Sequence, residues 1–136
     1  LRKREAFRSA FAGFSIHAVA AFDARDHDRL MADAGIVRNR AKIDAAIANA
    51  QAMVALHDEG ETLVDLVFAH APPPDERPVG RYTSLADIPS STPSSTALAK
   101  ALRRRGFRFV GPVVAYALME AAGVVDDHLE GCWVSV

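Results

Sequence analysis

The stretch Arg103-Arg104-Arg105-Gly106-Phe107-Arg108-Phe109-Val110-Gly111-Pro112 decides how this chain is read. It separates two segments with helical periodicity. Leu98 and Leu102 set an apolar stripe before it, and Val114, Leu118 and Ala121 set another after it, at i, i+4 and i+7. Two glycines bracket a short turn in which Val110 is the apolar residue expected to point inward. Gly111 predicts a close backbone approach or a positive φ. Pro112 suits the first position of a helix, where a missing N–H costs nothing. Amides at that helix start are expected to face outward and attract an anion. Four arginines lie close by: Arg103, Arg104, Arg105 and Arg108. Helix, glycine turn and second helix with this charge form a cradle for phosphate, and a DNA backbone is the expected ligand. The turn alone fits an ordinary connection between packed helices equally well. An arginine run alone is most often a solvated helix face.

The 136 residues suffice for one compact domain with a core, and residues 1–136 are expected to form it. Half the residues are hydrophobic and alanine is abundant, which favours helices. No long alternating run of Val, Ile, Thr and aromatics signals a strand. The predicted class is all-α, a helical bundle. The net charge is −1 and the pI about 6.6, so a nucleic-acid binder must gather its cations on one face. Seven of the 16 Lys and Arg fall at Arg38, Arg40, Lys42, Arg103, Arg104, Arg105 and Arg108. Cys132 is the single cysteine, so no intrachain disulfide can form, which fits a reducing cytosol. No apolar run approaches the ~20 residues that span a bilayer, and no signal peptide is visible. A cytoplasmic protein without a membrane partner is expected. The chain starts at Leu1 rather than Met and reads as a piece of a longer protein whose start has been removed.

Residues 2–11 predict a short amphipathic helix with Phe7 and Phe11 on one side. Phe14 and Phe22 flank a short turn. Asp23 or Asp26 can cap a helix carrying Leu30, Met31 and Ala34, stopped by Gly35. Asn39 is the N-cap expected for the longest helix, 40–58, with Ile43, Ile47, Ala50 and Val54 on one face and Gly60 after it. A further short helix carries Leu63, Leu66, Val67 and His70. Residues 71–81, with Pro72, Pro73, Pro74 and Pro78, read as surface loop rather than a domain boundary. Leu85 and Ile88 anchor a short turn. Ser94 or Ser95 can cap the helix that runs to the arginines.

Outside the turn, Gly35-Ile36-Val37-Arg38-Asn39-Arg40-Ala41-Lys42 leads into the long helix, and Val125-Asp126-Asp127-His128 follows the last one. In this order these segments resemble the helix-hairpin-helix DNA glycosylases. The match narrows with Ser91-Thr92-Pro93-Ser94-Ser95, Ala97-Leu98-Ala99-Lys100-Ala101-Leu102, residues 105–112 and Asp127-His128-Leu129-Glu130-Gly131-Cys132. Together they resemble the DNA-3-methyladenine glycosylase I family from Lys3 onward.

The resemblance implies a monofunctional glycosylase of base excision repair. Such an enzyme turns an alkylated adenine out of damaged duplex DNA and hydrolyses its N-glycosidic bond. 3-Methyladenine in DNA is cationic, so its glycosidic bond is already weakened, and recognition and water delivery matter more than a strong acid. DNA contacts are expected from Arg105, Gly106, Phe107, Arg108, Gly111 and Lys42. The family's structural zinc uses a His and a Cys matching His128 and Cys132, whose H-x3-C spacing is expected to put them one helical turn apart. A closed zinc site needs four ligands, so this chain supplies half. His17, His27, His57 and His70 do not match the other zinc positions and read as surface or packing residues. Asp126 could support base departure, though orienting the zinc His is the favoured use. Asp127 reads as a partner of His128 or as exposed. Tyr116 can border the base pocket, while Met119 reads as core. The family's base-recognising Glu and aromatics belong to a segment ahead of Leu1, and Glu5, Tyr82 and Trp133 do not match them. Excision by this chain alone is therefore not expected. The protein is expected to act as a monomer. The alternative is a non-enzymatic helix-hairpin-helix module that only grips DNA backbone.

Overall fold

Asn39 starts the longest helix as predicted: its side chain accepts the Lys42 amide at 3.1 Å. The structure, a computed structural model, describes residues 2–77 and 80–134, which leaves Pro78 of the proline-rich loop outside. Among the described residues there are seven α-helices and no strand, only an isolated bridge between Tyr82 and Leu129. The helices are α1 (Arg4–Ala10), α2 (Ile16–Ala20), α3 (Ala24–Ala32), α4 (Arg40–Asp58), α5 (Leu63–Phe68), α6 (Pro93–Arg104) and α7 (Pro112–Ala121). They fall into two compact units. One comprises residues 1–62 with 105–109, the other 63–104 with 110–136. The proline-rich loop lies inside the second unit, so it marks no boundary between them.

In the first unit α2 and α3 pack against α4. The predicted stripe on α4 is partly right. Ile43 and Ala50 are buried, Ile47 and Val54 only half so, and a second line of Ala45, Ala52 and Leu56 is buried as well. Small alanines let neighbours approach α4 on more than one side, which a single stripe does not anticipate. Phe7 stacks on Phe11 with centroids 6.2 Å apart, and Phe11 contacts Phe14 and Phe22 at 6.5 and 6.3 Å. Between Phe14 and Phe22 the chain forms α2, rather than the short turn expected. Asp23 caps α3, with Asp26 closing a reciprocal capping box. The helix stops at Asp33, whose carboxylate takes the Gly35 amide at 2.7 Å, so Ala34 sits in the turn and not on the helix. Lys3 fastens the same turn by donating to the Ala34 and Ile36 carbonyls.

In the second unit α6 is capped by Thr92, two residues before Ser94 and three before Ser95. Thr92 Oγ1 accepts the Ser95 amide at 3.1 Å, and Ser95 Oγ accepts the Thr92 amide at 2.8 Å. Ser94 and Ser95 therefore lie inside the helix, buried, with the Ser94 amide bonded to Glu76. Leu98 and Leu102 are buried as predicted, and α6 packs on α7. The face of α7 is not the predicted one: Ala115, Tyr116 and Met119 are buried, while Val114 is 52% exposed. Glu120 is the only charged residue of α7, so apolar spacing could not single out a face. Leu85, expected as an anchor, is 74% exposed, and Ile88 alone is partly covered.

Candidate nucleic-acid interface

Residues 105–111 join α6 to α7, and each is placed differently. Arg105 is committed to protein carboxylates. Its Nη1 donates to Glu59 at 2.6 Å and its Nη2 to both Glu61 oxygens at 2.7 and 2.8 Å. Gly106 has φ +89, a backbone that requires glycine. Phe107 is the buried residue of the turn, in the place expected of Val110, which is only half covered. A large aromatic ring buries more surface than a valine, and the turn pivots to let it in. Phe107 can meet a ligand through its backbone but not its ring. Phe109 has φ +57 and is 60% exposed.

Gly111 corrects an expectation. Its φ is −82, extended backbone that any residue adopts, and an added Cβ would meet nothing nearer than Arg103 Nη2 at 3.8 Å. It is the N-cap of α7 and carries no capping side chain, and Pro112 follows it. Its carbonyl accepts the Ala115 amide at 2.9 Å, so the amides of Val113 and Val114 precede the first intrahelical donor. No capping side chain takes them, and they sit at the positive end of the helix dipole.

Arg108 is exposed, and among the described residues its guanidinium has no carboxylate partner. Its backbone is held at two points. The Arg108 N–H donates to Asn49 Oδ1 at 2.7 Å, and Asn49 Nδ2 donates to the Arg108 carbonyl at 3.2 Å. Lys42 is exposed on the first turn of α4. It lies seven residues before Asn49, on the same helix face and about 10 Å along the axis. Asn49 escaped the sequence analysis. The available signal was an asparagine in mid-helix, where it is a poor helix former with no cap to make. Lys42 also edges an apolar groove of about 430 Å³ lined by Phe7, Phe11, Phe14, Ile16 and Val37.

The segment carrying His128 and Cys132 is not helical, so the two are not one helical turn apart. It is fixed instead by chain pairing. Tyr82 O accepts the Glu130 amide at 2.8 Å, and Arg81 donates to the Cys132 and Val134 carbonyls. Asp126 Oδ1 accepts both the backbone and the Nδ1 hydrogen of His128. That bond holds the Asp126 carboxyl below its ordinary range and leaves His128 Nε2 as the free ring nitrogen. The donor chemistry of His128 Nε2 and the Cys132 thiol suits zinc. No group of three or more His, Cys, Asp or Glu among the described residues could hold a metal, so these two are at most half a site.

Asp127 does not partner His128. It accepts a hydrogen bond from Tyr116 Oη at 2.7 Å. Burial, then that carboxylate, pushes the Tyr116 phenol well above its ordinary pKa. Tyr116, Arg81, Tyr82 and Asp126 line a pocket of about 290 Å³ in the second unit. Met119 is fully buried, as expected of a core residue, and Trp133 is 91% exposed. His27 Nε2 lies 3.0 Å from an Asp44 carboxylate, and His70 Nδ1 donates to the Leu66 carbonyl, which gives both packing roles.

Known proteins resemble this chain over nearly its whole length. The family model for methyladenine glycosylase matches residues 1–135. DNA-3-methyladenine glycosylase 1 of Escherichia coli K12 is 45% identical over 135 residues, which are 97% of this chain and 70% of that protein. The Haemophilus influenzae DNA-3-methyladenine glycosylase is 39% identical over 133 residues, again 97% of this chain and 70% of its own length. A crystal structure of 3-methyladenine DNA glycosylase I superposes with a TM-score of 0.90 at 41% identity, covering 99% of this chain and 73% of that one. The Staphylococcus aureus enzyme, solved for the basis of its 3-methyladenine recognition, superposes at 0.85 with 31% identity, covering 96% and 69%. No helix among the described residues is long and apolar enough to cross a membrane. With nearly the whole length matched, the chain belongs to the methyladenine glycosylase family.

Proposed function

We propose that this protein binds damaged double-stranded DNA as a monomer and serves the hydrolytic excision of 3-methyladenine. The α6–α7 turn is a helix-hairpin-helix that holds the DNA backbone. One observation carries the assignment: among the described residues no carboxylate pairs with the exposed Arg108 guanidinium, in the turn that leads into the uncapped α7. In the first unit the Arg108 guanidinium and Lys42 meet phosphate oxygens, and in the second the Val113 and Val114 amides at the start of α7 offer donors to an anion. Arg105 serves the fold rather than the ligand, because Glu59 and Glu61 already take its donors. Asp126 orients His128 rather than acting on the base. His128 Nε2 and Cys132 Sγ are two ligands of a structural zinc, with two more required beyond the described residues.

In this reading the chain's own residues grip and orient the DNA, and the methylated base is recognised by family residues that match no position here. The test is release of 3-methyladenine from alkylated duplex, by this chain and by the chain with the relatives' N-terminal segment joined ahead of it. Activity is expected only in the second. Equal activity in both overturns the division of labour, and activity in neither overturns the assignment of function to this chain.

A further inference from the structure

The loop from Arg105 to Phe109 is not a conformation the backbone holds unaided. Gly106 at φ +89 and Phe109 at φ +57 flank two residues in between, and Phe109 has a side chain that disfavours that region. Three fastenings hold it within the first unit. Arg105 is tied to Glu59 and Glu61, and Phe107 is buried. The third is the Asn49 amide, which bonds both the N–H and the C=O of Arg108.

We propose that Asn49 is a positioning residue for DNA binding: its side-chain amide fixes the peptide groups on both sides of the Arg108 Cα and so aims the Arg108 side chain at a phosphate. The proposal deepens the DNA-backbone reading of the hairpin and rests on it. The two bonds hold the peptide groups on either side of the Arg108 Cα, so neither turns freely and the direction of the Arg108 Cα–Cβ bond is set. The other two fastenings act before Arg108 and leave that direction free. Only an amide side chain offers a donor and an acceptor in one plane, and glutamine would overreach by a methylene. Mid-helix, asparagine costs helix propensity relative to alanine, and the clamp on Arg108 is what it supplies in return. An arginine held this way loses less freedom on meeting phosphate than one on a wandering loop.

The experiment uses the chain as it is, with an unmodified DNA duplex as probe, and measures affinity across a salt series. The variants are Asn49→Ala, Asn49→Leu, Arg108→Ala and the double variant Asn49→Leu/Arg108→Ala. Asn49→Leu keeps the number and branching of side-chain heavy atoms and improves helix propensity, so it stays folded if the alanine variant does not. Arg108→Ala lowers the slope of log affinity against log salt by about 0.9, one phosphate contact. Each Asn49 variant lowers it by a comparable amount, and hydrogen exchange at the Arg108 amide speeds up. The double variant falls no further than Arg108→Ala, because Asn49 acts through Arg108. A merely structural role would reduce the active fraction and leave the slope unchanged. If Arg108→Ala leaves the slope alone, the hairpin reading itself fails. If Arg108→Ala lowers it and neither Asn49 variant does, or the two losses add, the clamp is overturned while the hairpin reading stands.

Discussion

Replacing Gly106 by alanine puts a Cβ on a residue at φ +89. The nearest atom it would meet is the Ala52 Cβ at 3.8 Å, an ordinary contact, so no clash adds to the cost. What remains is backbone strain of about 1–2 kcal/mol for an L-residue on the left-handed side. Alanine also restricts the unfolded chain, which returns about 0.4–1 kcal/mol. The net expectation is a loss of about 1 kcal/mol. The same substitution at Gly111 meets φ −82 and 3.8 Å of clearance, so only the unfolded-chain gain applies and stability holds or rises slightly. Two glycines that look alike in the sequence should thus differ by about 1–2 kcal/mol. Urea unfolding followed by circular dichroism reads this directly, as a midpoint shift of about 0.5 M per kcal/mol. Equal losses at both positions, or none at Gly106, would refute the conformational reasoning.

Arg105→Ala is expected to cost little stability, since its partners are largely exposed, and to leave the salt slope of DNA binding unchanged. A slope reduced as in Arg108→Ala would return Arg105 to the DNA interface. Thr92→Ala removes the cap of α6 and should lower stability by about 1 kcal/mol, whereas Ala97→Ser on the exposed side of the same helix should not; thermal melts compare them. Tyr116→Phe tests the alkaline limb of the stability profile. The folded phenol titrates above its ordinary value, so its contribution is complete below that value and is lost as pH rises toward the folded one. The wild type should lose stability above about pH 10, and the Phe variant should show a flatter decline. An unchanged alkaline limb would separate Tyr116 from that loss.

Helix starts were legible because caps are local. Asn39 and Asp23 announce α4 and α3 through side chains that reach only two or three residues ahead. The α6 cap was misplaced by two or three residues because Thr92, Ser94 and Ser95 are all competent, and the reciprocal bonds that select Thr92 depend on the turn. The buried face of α7 was illegible for a different reason: a helix apolar nearly all round carries no moment to read. At the site, Arg108 and the open helix start followed from composition and spacing. The capture of Arg105 by Glu59 and Glu61 did not, nor did the grip of Asn49 on Arg108, because partners more than forty residues apart leave no local pattern.

The first unit takes five residues, 105–109, from beyond the forty-two that intervene after Thr62. During synthesis from the N-terminus, α1 to α4 can therefore pair early, but Ala52 and Asn49 wait for partners made much later. Closing that gap carries a loop entropy that grows slowly with length, and the contacts it brings are of high sequence separation. A peptide ending at Thr62 should accordingly gain helicity without reaching native packing. Completion of the first unit and formation of the turn at residues 105–109 become a single late event, so a nascent chain cannot offer Arg108 in its final pose before its own fold is closed.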